Sequence, residues 1–198
     1  SKLIMLKIIK NFFLLSIFFL FLSCDSSSQS KNNSNSLVEV KVFSSLTCPH
    51  CADLHGKIYE KLRKEYISVG KVKFEHISFP LDLAALNAEK ILQCNNNSQT
   101  NFKFLTEIYK KQNKWAVGTD IKKINNSIKA IGKKFALSDD VMNKCLVDES
   151  LEEKILNERI EAQKNYKVSS TPTIYLNEKK YEGKKNYKSF KKALDKLL

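Results

Sequence analysis

The chain has no internal repeat, no zinc-finger spacing, no RNP-like aromatic strand and no helix with a dense arginine face. The first absence excludes a repeat architecture. The others remove the usual grounds for reading nucleic acid as a ligand. Acidic residues are scarce: 21 Asp and Glu face 34 Lys and Arg, a formal net charge of +13. Such an excess can draw a protein to nucleic acid, an anionic membrane face or acidic substrates. Here the lysines are scattered along the whole length, beside abundant Asn, Ile and Phe. The charge is therefore read as biased composition that aids solubility and attraction to a membrane surface, and no nucleic acid is expected as a partner. There is no second Cys-x-x-Cys. What remains is ordinary: 198 residues, 42% hydrophobic and 28% charged, enough for one domain with its own core once a leader is removed.

Residues 1–24 are unlike the rest. Lys2, Lys7 and Lys10 make a basic start, and Phe12 to Leu22 is apolar except for Ser16. That run falls short of the ~20 residues of a membrane span. A basic region, an apolar run and small residues together read as a secretory signal peptide, with Met5 as a candidate start. The run ends in Phe21-Leu22-Ser23-Cys24, which resembles a bacterial lipobox, although Phe21 stands where that pattern prefers Leu. Cys24 is thus the expected site of lipid attachment. Ordinary cleavage nearby and an uncleaved anchor are the alternatives. Residues 25–36, rich in Ser, Asn and Gln, read as a flexible linker. Export would place the domain where disulfides persist.

The folded part opens with Val38 to Phe43, alternating and then apolar, as a strand. A helix is expected to open at or next to Cys48, because Ala52, Leu54, Ile58, Leu62 and Tyr66 have roughly helical spacing. Val72 to Ile77 reads as a second strand ending near Pro80. Between 82 and 150 only helical patterns occur, including Ile121 to Phe135 and Asp139 to Leu146, the latter with a cap at Ser138. A long helix over Leu151 to Tyr166 follows. Then come a strand at Thr173 to Leu176, a turn at Asn177-Glu178, a short strand at Lys180 to Glu182 and a closing helix from Tyr187 to Leu198.

Cys48-Pro49-His50-Cys51 carries the chemistry. At a helix start, backbone N–H groups and the helix dipole favour a thiolate on the first cysteine. A stabilised thiolate makes the disulfide easier to reduce, hence a better oxidant. Cys48 is the expected reactive thiol and Cys51, one turn on, its partner. Pro49 suits the first helical turn, and His50 can stabilise the Cys48 thiolate. The rival reading, metal held by Cys48, Cys51 and His55, lacks an evident fourth ligand unless the fold brings His76 to it; no metal is expected. His55 is read as a surface or helix-packing residue and His76 as a strand residue. A purely structural Cys48–Cys51 bond closes too small a loop to add much stability. Downstream, Pro172 in Ser170-Thr171-Pro172-Thr173 is either an edge-strand proline or a cis-proline.

These residues, with the ending Tyr175 to Gly183, make the chain resemble the DsbA-like branch of the thioredoxin superfamily, in particular its alphaproteobacterial members, over about residues 37–198. The resemblance implies an α/β thioredoxin fold (37–81 and 151–198) with an inserted helical domain (82–150). It implies that Cys48 is the nucleophile, Cys51 resolves, His50 tunes Cys48, and Thr171 with a cis Pro172 contacts substrate opposite the thiols. It also implies the partners: reduced or unfolded exported proteins, and a DsbB-type membrane oxidase that reoxidises the pair, with no cofactor. Many relatives carry an acid six residues before the first cysteine, near the resolving thiol. That position here is Val42, and Glu39 or Glu75 are the candidate substitutes.

With Cys48 and Cys51 paired, Cys94 and Cys145 remain. They are expected to form a structural disulfide, an extra pair that alphaproteobacterial relatives often have; two free buried thiols are the alternative. The expected function is an oxidase that introduces disulfides into exported proteins from a periplasmic, membrane-anchored position. An isomerase or reductase of the same fold, or a non-catalytic surface lipoprotein, are the alternatives. With about a dozen linker residues ahead of the first strand, no dimerisation domain is expected, and the protein is read as a monomer.

Overall fold

The computed structural model describes residues 37–198. The leader 1–24, the linker 25–36 and the lipid candidate Cys24 lie outside the described residues. Strand β1 (Val38–Ser44) runs into helix α1 (Pro49–Leu62), which finishes in a π-helical turn at Arg63–Ile67, and the chain returns as β2 (Val72–Ser78). β1 and β2 pair in parallel, with Val42 opposite His76 and Ser44 opposite Ser78. Five helices follow: α2 (Leu83–Gln93), α3 (Ser98–Lys110), α4 (Gln112–Trp115), α5 (Ile121–Gly132) and α6 (Asp139–Leu146). Helix α7 (Glu149–Asn165) leads back to β3 (Thr173–Leu176) and β4 (Lys179–Lys180), and α8 (Tyr187–Leu194) closes the chain. The sheet order is β2-β1-β3-β4, with β3 antiparallel to both neighbours.

Both faces of the sheet are covered. Val38, Val40, Ile174 and Leu176 pack against Leu54, Ile58 and Leu62 of α1 and Phe190 and Leu194 of α8. On the other face Phe43 and Phe79 meet Ala162 and Val168 from α7 and the segment after it. The helices α2–α6 enclose Ile91, Phe104, Ile108, Ile128 and Met142, and Cys48 and Cys51 belong to that same core. The motif therefore sits at the seam between sheet and helical block.

Short polar side chains set the helix starts. Asp82 accepts from Ala85 N, Asp120 from Lys122 N and Lys123 N, Ser138 from Val141 N, Asp148 from Leu151 N and Asn186 from Ser189 N, each satisfying donors the helix leaves open. The pattern over Ile121 to Phe135 does not continue as one helix. It breaks at Gly132 into a 3-10 turn, Lys133–Phe135. A Cβ on Gly132 would lie 2.5 Å from Met142 Sδ, so glycine allows α5 and α6 to close on each other. The hairpin turns on Asn177, which holds a left-handed φ of 52° that Asn tolerates. β4 is shorter than its sequence pattern, and α8 stops at Leu194 rather than Leu198.

Candidate active site

Cys48 is the N-cap of α1, extended at φ −78° and ψ 118°, with Pro49 at the first helical position. Its N–H donates to Ser45 O at 3.1 Å, and its own carbonyl accepts from Cys51 N at 3.1 Å. Two further ties hold the loop. Gln112 Nε2, buried on α4, donates to Leu46 O at 2.7 Å and Cys48 O at 3.0 Å. Thr47 Oγ1 donates to Asp82 Oδ2 at 2.7 Å, so the side chain that caps α2 also steadies the turn before the motif. Gln112 carries no motif; only the fold brings it here.

Pro49 and His50 are exposed, while Cys48 and Cys51 are 7% and 2% exposed. Both thiols are free. Thr171-Pro172 is a cis peptide bond, and the Cys48 thiol donates to the Thr171 carbonyl at 3.6 Å. The Thr171 hydroxyl is buried beside the thiols, and Lys185 Nζ donates to Pro172 O at 3.1 Å. The structure thus gathers Cys48, Cys51, Thr171 and Pro172, with Pro49 and His50 on the outer rim.

The two thiols are not alike. Burial pushes Cys48 up, but hydrogen bonds from Thr171, Cys51 and the N–H groups of Cys51 and His50 outweigh it and hold the thiol below its ordinary value. Burial drives Cys51 up to about 12; the Ser45 backbone opposes this and the Cys48 charge adds to it. A low first thiol beside a high second one is what a nucleophile and a buried resolving partner require.

His55 packs within the protein: Nε2 pairs with Thr106 Oγ1 at 2.9 Å, and the ring stacks on Tyr59 at 4.4 Å. Burial, with the nearby charge of His76 added, lowers its pKa to about 3. Among the described residues no group of three or more His, Cys, Asp or Glu side chains is placed to hold a metal ion. Glu39 and Glu75 do not replace an acid at Val42. Glu39 pairs with Lys41 and Lys73, Glu75 pairs with Lys73, and neither lines the cavity beneath Cys51.

Away from the motif, Cys94, the C-cap of α2, is bonded to Cys145 on α6, with Cα atoms 6.2 Å apart and a sequence separation of 51. Beside it Lys90, 2% exposed, donates to Leu146 O at 3.1 Å and pairs with Glu152, tying α2, α6 and α7 together. Replacing both Cys94 and Cys145 by alanine is expected to cost about 2–4 kcal/mol. In chemical denaturation this appears as a lowered midpoint, and an unchanged midpoint would mean that the bond contributes nothing.

A family model described as Thioredoxin matches residues 32–196. A Bacillus cereus protein named provisionally as disulfide bond formation protein D is 31% identical, covering 87% of this chain and 80% of that protein. A Rickettsia bellii protein assigned provisionally by name to the protein-disulfide oxidoreductases is 28% identical over 84% of this chain. Among solved structures, Wolbachia pipientis alpha-DsbA1 superposes with a TM-score of 0.73 at 26% identity, covering 81% of this chain and 85% of that one. The chain belongs to the thioredoxin family and, within it, to the DsbA-like branch. It spans 62% of the length of the Rickettsia bellii relative.

Proposed function

We propose that this chain is a thiol:disulfide oxidoreductase that introduces disulfides into exported proteins by exchange at Cys48–Cys51. The observation that carries the reading is Cys48 at the N-cap of α1, its sulfur 3.6 Å from the Thr171 carbonyl, in a chain of the DsbA-like branch. In the oxidised protein a substrate thiolate attacks Cys48 Sγ, and Cys51 leaves with the electron pair and takes a proton. A second substrate thiolate then attacks the substrate sulfur of the mixed disulfide, and Cys48 leaves as a thiolate. Two electrons pass to the enzyme and the substrate gains one disulfide. Thr171 and Pro172 offer backbone to an extended substrate, since Pro172 donates no hydrogen bond of its own.

Residues 1–24 support export as a leader, and Cys24 a lipid tether in the periplasm, with 25–36 as the linker. We assign reoxidation of the pair to a DsbB-type membrane partner. Among the described residues no helix is long and apolar enough to cross a membrane. The oxidised protein, mixed in equal amount with a reduced dithiol peptide, is expected to yield one equivalent of peptide disulfide. A peptide left fully reduced would refute the reading, and catalysed reshuffling of scrambled disulfides in place of net oxidation would favour an isomerase.

A further inference from the structure

Cys51 is almost fully buried with a thiol pushed up to about 12, so whenever it attacks, its proton needs a destination. Beneath it lies a cavity of about 30 Å³. Most of its wall is apolar, no carboxylate lines it, and its polar side chains besides Cys51 are Ser44, His55, Tyr59, His76 and Tyr109. His55 is a poor acceptor there, because burial makes its ring a weak base, its pKa lowered to about 3. The others include an ordered chain. Tyr109 OH donates to Ser44 Oγ at 3.0 Å, Ser44 Oγ pairs with His76 Nδ1 at 2.9 Å, and His76 Nε2 pairs with Glu89 Oε1 at 2.6 Å. Glu89 is wholly buried and its second oxygen has no hydrogen-bond partner. A carboxylate so placed fixes the Nε2–H tautomer and leaves the Nδ1 lone pair towards Ser44. His76 also lines a second, open groove together with Glu89, Glu158 and Lys154. One imidazole thus touches both the cavity under Cys51 and a path to solvent.

We propose that His76 is the proton acceptor for the Cys51 thiol, reached through Tyr109 and Ser44 and held for that task by Glu89. The inference rests on the reading of Cys48 and Cys51 as a redox pair. When the pair closes, the Cys51 proton crosses to the Tyr109 oxygen, over a cavity wide enough for a bridging water. The Tyr109 proton moves to Ser44 and the Ser44 proton to His76 Nδ1. The Cys51 thiolate forms the S–S bond with Cys48, and the sulfur until then joined to Cys48 leaves with the electron pair. The imidazolium, paired with Glu89, releases its proton into the groove. In the opposite direction the same chain returns a proton to the departing Cys51.

Polar and charged groups stand around His76 on every element packed against it: Ser44 from β1, Cys51 and His55 from α1, Glu89 from α2, Tyr109 from α3, and Glu158 with Lys154 from α7. Its neighbour on β2, Glu75, is engaged by Lys73. Burial pushes His76 down, but the charge and hydrogen bond of Glu89, with Glu158 behind it, outweigh that and leave it above its ordinary value. The neutral ring is the acceptor, so the Cys51 step accelerates as pH rises through that raised value.

The test uses the reduced protein and 5,5′-dithiobis(2-nitrobenzoate), with thionitrobenzoate release followed by stopped flow. The first release reports Cys48 attacking the reagent; the second reports Cys51 attacking the mixed disulfide on Cys48. In the wild type the second rate is expected to rise with pH through an inflection above 6.5. His76→Gln is expected to lose that inflection and slow the second release about tenfold or more at pH 7, a modest share of what general acid–base catalysis supplies. The first release stays unchanged. Should His76→Gln fail to fold, Tyr109→Phe decides, since it cuts the chain next to Cys51 and leaves the His76–Glu89 pair in place. A folded variant whose second release keeps the wild-type rate and inflection overturns the relay alone. A wild type with no first release overturns the redox reading, and the relay with it.

Discussion

Cys48→Ala is expected to reduce thiol–disulfide exchange to the uncatalysed background, a loss on the order of a thousandfold or more in oxidation of a dithiol peptide. Among the described residues only Cys48 combines a place in the helical core next to the exposed Pro49 and His50 with a thiol held below its ordinary value. Cys51 is buried deeper, and its thiol near 12 makes it a poor first attacker. The substitution removes one sulfur from a loop whose backbone is fixed by Ser45, Gln112 and the α1 turn, so the fold should persist. Circular dichroism and a denaturation midpoint close to wild type would show that the loss is chemical. Activity undiminished in a folded Cys48→Ala protein would refute the catalytic reading and favour a non-catalytic surface role.

Cys51→Ala is expected to do something different: trap rather than inactivate. Cys48 in that variant still attacks a disulfide, but no neighbouring thiol releases the product. Mixed disulfides should accumulate to nearly one per protein, visible as a mass shift that reductant reverses, while multiple turnover falls on the order of a hundredfold. The contrast between the variants tests the assignment of roles. If Cys48→Ala traps adducts and Cys51→Ala does not, the roles are reversed and the thiol asymmetry has been misread.

Much of this site was legible from sequence because its parts are local. A proline following the first cysteine, a strand before it and helical spacing after it place Cys48 at a helix start without any tertiary knowledge. The helical block between β2 and α7 was legible from apolar periodicity and from cap residues such as Ser138. The parts that escaped depend on distant chain segments meeting. Gln112 holds the motif loop from more than 60 positions away and has no motif of its own. Lys90, a buried cation, reads in sequence as one more lysine among many. Glu39 and Glu75 are acids on the right strands, yet they pair with Lys41 and Lys73 along the sheet. His76 was the better candidate, and one signal pointed to it. Aligning the two strands in parallel from Val38 and Val72 sets Val42 beside His76, so the position that lacks an acid has a histidine next to it.

The central claim is that Cys48–Cys51 is an oxidising disulfide, and its reduction potential tests that claim most directly. Equilibration of the protein with glutathione redox buffers, read by thiol alkylation and mass, gives the value. A Cys48 thiol held below its ordinary value stabilises the reduced pair, and the account predicts a potential more oxidising than about −200 mV, towards the approximately −120 mV of DsbA. A value near the approximately −270 mV of thioredoxin would contradict it and make the protein a reductase.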